Sequence, residues 1–114
     1  MRKITKCPWG SFEVLSEASD HKVKRIVIEP GGILSLQHHK QRSEHWFVVS
    51  GKGIASVDGK DYSVQNGSAV DIPLKKTHRL ENSSTENLVI IEVQTGGYFG
   101  DDDIERLEDK YGRV

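Results

Sequence analysis

Two stretches of this chain hold side chains able to bind a metal ion. In the first, five residues separate Gly31 from Gln37, one separates Gln37 from His39, four separate His39 from Glu44, and six separate Glu44 from Gly51. In the second, five residues separate Gly67 from Pro73; His78 follows, and three residues separate it from Asn82. Gln37, His39, Glu44 and His78 are candidate ligands of one divalent ion. Two imidazoles, a carboxylate and an amide oxygen suit Zn²⁺, Mn²⁺, Fe²⁺, Co²⁺ or Ni²⁺ and leave open positions for water or substrate. The glycines and the proline mark turns that would aim the strands carrying these groups.

Alternation along a strand decides which groups could converge. Gln37 and His39 share one face and His38 takes the other, so a one-residue slip would exchange Gln37 for His38. Trp46 and Val48 share the face of Glu44, which places them in the pocket or core, with the indole N–H needing a partner. His45 alternates away and reads as structural, and His21 reads as an exposed loop residue. His78 lies on a distant segment and would join the others only if the sheet closes on itself.

The segments between residues 10 and 95 supply such a sheet. Short β-rich runs (GSFEVLSE, VKRIVIEP, ILSLQHH, EHWFVVS, GIASV, DYSVQ, SAVDI, THRLE, NLVIIEVQ) are cut by turn residues. Asp58-Gly59 between two of them is a two-residue hairpin signal. Many short strands at even spacing predict an antiparallel sandwich or barrel. After residue 100 the pattern changes: Asp102 with Glu105 three residues on forms a capping-box pattern, and Ile104, Leu107 and Tyr111 share a helical face. A short C-terminal helix ended by Gly112 is the expectation, with Asp101 to Asp103 favoured at its start by the dipole.

With 114 residues the chain is read as one domain, 1–114. A net charge of −1 argues against a nucleic-acid or anionic-membrane partner. No apolar run approaches the ~20 residues of a membrane span. The single cysteine, Cys7, excludes an internal disulfide and reads as a packing residue. A soluble cytoplasmic protein is expected.

Cations near these segments suggest an anionic substrate. Lys24 alternates in step with Ile26 and Ile28 and would reach from the interior toward the mouth of a barrel. Arg42 lies beside the ligands and is read as a loop residue. These two are the candidate substrate-binding cations, ahead of Lys40, Lys75, Lys76 and Arg79. Glu92 shares a face with Leu88 and Ile90, but no residue is assigned as the catalytic base. Leu34 and Leu36 are placed opposite Gln37, which would make that strand apolar on both sides and favours a homodimer. Two histidines and a carboxylate also suit iron and dioxygen chemistry, so an Fe-dependent dioxygenase is one alternative.

These two segments resemble the two motifs of the cupin superfamily. Gln37 stands where the first motif usually has its first histidine, and Lys75 where the second usually has its middle glycine. Beyond the motifs, CPWGSFEVL, KVKRIVIEPGGILSLQ, RSEHWFVVSG, HRLEN and IIEVQTGGYFGDDDIERLEDKYGR look like the C-terminal domain of type II phosphomannose isomerases, from about Cys7 to Arg113. The resemblance implies an all-β fold, the double-stranded β-helix or jelly-roll barrel, and a dimer. It implies a metal-dependent aldose–ketose isomerase acting on a sugar phosphate, interconverting mannose 6-phosphate and fructose 6-phosphate. The Gln37-x-His39 pair is also similar to the zinc-binding pair of type I phosphomannose isomerases, which favours zinc. A non-catalytic sugar-binding cupin is the other alternative.

Overall fold

A computed structural model of the chain describes residues 3–113. Among these residues eleven strands build two antiparallel sheets. They are β1 (Ile4–Cys7), β2 (Gly10–Glu17), β3 (His21–Ile28), β4 (Leu36–His39), β5 (Arg42–Ser50), β6 (Lys52–Val57), β7 (Lys60–Gln65), β8 (Ala69–Ile72), β9 (His78–Glu81), β10 (Leu88–Gly96) and β11 (Ile104–Glu108). One sheet has the order β1-β2-β3-β10-β5-β8, the other β11-β4-β9-β6-β7. From β3 onward the chain passes back and forth between the sheets. This winding is the double-stranded β-helix, and it brings β9 beside β4 although some forty residues of chain separate them. Among the described residues no helix is long and apolar enough to cross a membrane.

Each of the nine β-rich runs contains a strand. Asp58 and Gly59 both have positive φ, 52° and 79°, as a two-residue turn matching the twist of its strands requires, and β6 pairs with β7 directly across it. The inward faces of both sheets meet in one core. Ile26, Ile28, Trp46, Val48, Ile72, Leu88 and Ile90 come from the six-stranded sheet, and Ala55, Val64 and Leu80 from the other. Leu34 joins this core, so the two-sided strand expected from Leu34 and Leu36 is not formed.

The C-terminal helix is not formed either. Asp101–Asp103 make one 3-10 turn, and residues 104–108 run on as β11. So short a stretch is a poor isolated helix. As a strand it pairs its backbone with β4, whose edge would otherwise be open. Period two replaces the helical period: Ile104 and Arg106 border an interior cavity, whereas Glu105 and Leu107 are exposed. Tyr111 still packs on the core, and its hydroxyl accepts the N–H of Ile33 at 3.2 Å.

The motif residues Gly31 and Asn82 turn out to be partners. The N–H of Gly31 donates to the carbonyl of Asn82 at 3.0 Å, and the N–H of Asn82 returns a bond to Gly32 at 2.9 Å. The Asn82 side chain, fully buried, donates to the carbonyls of Ile28 and Glu86. Asn82 therefore ties the end of β9 to the turn leading into β4, which sets the positions of His78 and His39 relative to each other.

Candidate metal centre and cavity

β5 builds the centre of the site. Arg42, Glu44, Trp46 and Val48 alternate inward and are all buried, while His45 and Phe47 face out. β4 turns Gln37 and His39 toward the interior and His38 outward, where its Nε2 meets the Glu105 carboxylate at 2.8 Å. The register with His38 in place of Gln37 is thereby excluded. β9 brings His78 opposite Gln37. His45 pairs outside with Asp71, and His21 begins β3 and pairs with Asp20.

His39, Glu44 and His78 each offer one ligand atom, and these atoms lie within 4.8 Å of one another. His39 Nε2 is 3.2 Å from Glu44 Oε2, and His78 Nε2 is 3.5 Å from Glu44 Oε1. The imidazoles are 4.9 Å apart between centroids. His78 Nδ1 lies 3.0 Å from the carbonyl of Lys76, which only accepts, so Nδ1 carries the proton and Nε2 presents a lone pair. Burial holds His78 below the usual imidazole range despite the neighbouring Glu44 charge. A buried lone pair thus faces a buried carboxylate oxygen. The Nδ1 of His39 and the Nε2 of His78 are buried with no hydrogen-bond partner among the described residues. Such a cluster fits a divalent cation, which would satisfy the facing electron-rich atoms at the separations that metal bonds of about 2.0–2.2 Å produce.

Glu44 is fixed from several sides. Burial alone would raise its carboxyl, but the hydrogen bond with His39 and the charges of His78, His39 and Arg42 outweigh burial and hold it well below the usual carboxylate range. Arg42 is not on a loop: it opens β5, is 3% exposed, and donates from Nε to Glu44 Oε2 at 3.2 Å and from its terminal nitrogen to the carbonyl of Phe99, also at 3.2 Å. This cation orients a candidate ligand and is largely used up in doing so.

His39 and Glu44 open on a cavity of about 300 Å³ between the sheets. Gln37, Lys24, Glu92 and Gln94 also line it. Lys24 is 7% exposed, and its Nζ sits 4.4 Å above the ring of Phe12. Glu92 is opposite both Lys24 and Trp46 in the sheet register. Trp46 Nε1 donates to one Glu92 oxygen at 3.0 Å, and Gln94 Nε2 donates to the other at 2.6 Å and to Glu44 Oε2 at 3.3 Å. Burial, reinforced by the charge of Glu44 and opposed by Lys24, raises Glu92 to about 8. The remaining candidate cations lie elsewhere: Arg79 bonds Leu34 and Glu108, Lys76 pairs with Asp58, and Lys40 and Lys75 are exposed.

Two polar residues of this cavity, Gln94 and Arg106, are not singled out by the sequence analysis. Gln94 carries a usable signal, since it continues the alternation Leu88, Ile90, Glu92. Arg106 does not, because its segment shows a helical pattern.

A double-stranded β-helix of two antiparallel sheets, with a His-Glu-His cluster facing the space between them, is the cupin fold. The cupin-2 domain protein Rru_A2000 from Rhodospirillum rubrum superposes with a TM-score of 0.75 at 17% identity over 90% of this chain and 78% of its own. Within that class, the chain belongs to the family described as mannose-6-phosphate isomerase C-terminal, whose model matches residues 1–109. The alginate biosynthesis protein AlgA of Pseudomonas aeruginosa is 47% identical over 107 residues, 94% of this chain but 22% of AlgA. The chain therefore spans about a fifth of that relative. The capsular polysaccharide assembling protein CapF of Staphylococcus aureus matches with a TM-score of 0.86 at 26% identity, over 96% of this chain and 33% of CapF.

Proposed function

We propose that this domain is a metal-dependent sugar-phosphate isomerase that interconverts mannose 6-phosphate and fructose 6-phosphate. One observation carries the reading: the His39–Glu44–His78 cluster opens, through His39 and Glu44, on a cavity whose one further carboxylate among the described residues is Glu92. Membership of the mannose-6-phosphate isomerase C-terminal family supports the substrate class.

The reaction moves one proton between C2 and C1 of an open-chain sugar phosphate and a second between the oxygens on those carbons, so that the carbonyl changes place. A bound divalent ion would supply Lewis acidity toward the oxygens on those carbons. His39, Glu44 and His78 would hold it, with Gln37 on the same face of β4 as a fourth ligand. Zinc is the ion we favour on the Gln37-x-His39 pattern. Glu92 takes the proton from one carbon and returns it to the other. Trp46 and Gln94 hold its two oxygens in place, so little reorganisation is needed at the moment of transfer. Lys24, on the same wall, contributes positive charge toward the substrate. The two sheets screen the reacting atoms from bulk water, which strengthens each of these interactions.

The test is a coupled isomerase assay on metal-stripped protein, reloaded with one ion at a time. Conversion restored by Zn²⁺ or another divalent ion supports the reading. A fully loaded, folded protein that converts no sugar phosphate with any ion overturns it. The homodimer remains a proposal and no longer rests on a two-sided apolar strand, since Leu34 is in the core; light scattering in solution decides it.

A further inference from the structure

Four cations border the cavity: Lys24, Arg42, Arg106 and Arg113. Three have company. Arg42 is spent on Glu44 and the carbonyl of Phe99. Arg113 grips Asp109 through two contacts of 2.7 and 3.0 Å. Lys24 lies over Phe12 and opposite Glu92.

Arg106 is different. Among the described residues no hydrogen bond or ion pair engages its guanidinium, and its Nε is buried with no acceptor. An arginine side chain carries five N–H donors and stays charged at every working pH. Arg106 is half-buried, and a buried donor such as its Nε is costly to leave without an acceptor, so the site favours an anion that enters the cavity.

Its placement tells where that charge would come from. Arg106 pairs with Gln37 in the register of β11 against β4, so it stands one strand away from the face carrying Gln37 and His39. The register shifts between Arg106 and Glu108, and bulges of this kind turn a side chain toward a site. Of the residues on β11, Ile104 and Arg106 line the cavity while Glu105 pairs outward with His38.

We propose that Arg106 receives the phosphoryl group of the substrate, making β11 the element that selects phosphorylated over neutral sugars. This rests on the sugar-phosphate reading above and assigns to Arg106 the anchoring role that the sequence suggested for Arg42. A guanidinium fork matches two oxygens of a tetrahedral oxyanion, so the preference is for a phosphoryl dianion. No bond is made or broken at Arg106, and its contribution is affinity and orientation.

The test compares parent, Arg106→Gln, Arg106→Met, Arg106→Lys and the outward-facing control Leu107→Ser. Calorimetric titrations use mannose 6-phosphate, mannose and inorganic phosphate, with metal content and melting curves recorded for each variant. The parent should bind mannose 6-phosphate at least tenfold more tightly than mannose, and inorganic phosphate should compete. Arg106→Gln or Arg106→Met, whichever keeps the parent's melting curve, should lose that preference by tenfold or more and raise KM far more than it lowers kcat, with metal content unchanged. Arg106→Lys should recover part of it, and Leu107→Ser should behave as the parent. A folded Arg106→Gln or Arg106→Met with the parent's preference overturns the assignment while leaving the isomerase reading intact. Loss of fold in both, with Arg106→Lys folded and unchanged from Leu107→Ser in every titration, assigns Arg106 to structure and also overturns it. A parent with no preference for the phosphorylated sugar removes the reading on which the assignment rests.

Discussion

The backbone N–H of Lys75 donates to the carbonyl of His39 at 2.8 Å. This bond ties the turn that launches β9, and with it His78, to the strand that carries the other histidine. Lys75 makes it in a left-handed conformation, with φ at 67°. For a residue with a side chain that conformation costs about 1–2 kcal/mol. Lys75→Gly should remove the strain and keep the bond. After the extra freedom glycine gains in the unfolded chain, a net stabilisation of up to about 1 kcal/mol is expected. Thermal unfolding measures it, and a lower melting temperature would contradict the strain.

His39→Ala and His78→Ala should each weaken metal retention by more than about 100-fold, a larger loss than outer partners of a metal site give. Elemental analysis after dialysis against a weak chelator reads this directly. Glu44→Gln should also release metal. In addition it leaves Arg42 buried without its carboxylate, so a stability loss of about 3–5 kcal/mol is expected in denaturant titration of the metal-free protein. If all three variants hold metal as the parent does, the ion sits elsewhere.

Glu92→Gln changes one atom at the cavity wall. Turnover should fall by about 10²–10⁴-fold, as expected for loss of a proton-transferring group. KM and metal content should stay close to the parent's, because neither the phosphoryl anchor nor the metal cluster is touched. Full turnover in this variant would take the proton-transfer role away from Glu92.

A pH-dependent tie lies in the C-terminal segment. The hydrogen bond from Arg113 holds Asp109 at about 2, below its ordinary 3.8. A depressed carboxyl favours the folded state above its unfolded pKa, and the benefit fades as pH falls from 3.8 toward 2. Asp109→Asn should therefore be less stable than the parent at neutral pH, and the gap should close across that window. Urea titrations at pH 7 and pH 3 would show it; a gap constant over this range would mean that Asp109 acts through something other than its charge.

Much of this arrangement is legible in the amino-acid order. Period-two alternation places Glu44, Trp46 and Val48 on one buried face and puts Lys24 with Ile26 and Ile28, because a half-buried strand leaves that pattern in its residues. Asp58-Gly59 announces its turn because few residue pairs tolerate two positive φ values. β1 is not legible: Ile4–Cys7 is a four-residue edge strand that exists by pairing with β2. β11 misleads, since Asp102 lies within a single 3-10 turn, where its carboxylate accepts from the Tyr98 hydroxyl, and caps no helix. Beyond that turn the conformation is decided by the open edge of β4, a partner far away in the sequence. Arg42 reads as a loop residue because the turn residues before it mask the start of β5.

β11 has a further consequence, for the order in which the molecule is made. His38 and Glu105, which face each other across β4 and β11, are 67 residues apart. Contacts of such long range form late. A nascent chain stopped before residue 104 would leave the outer edge of β4, the strand that carries His39, open and ready to recruit a neighbour. The domain is therefore most vulnerable to clumping in the interval between synthesis of its ligands and arrival of the segment that shelters them.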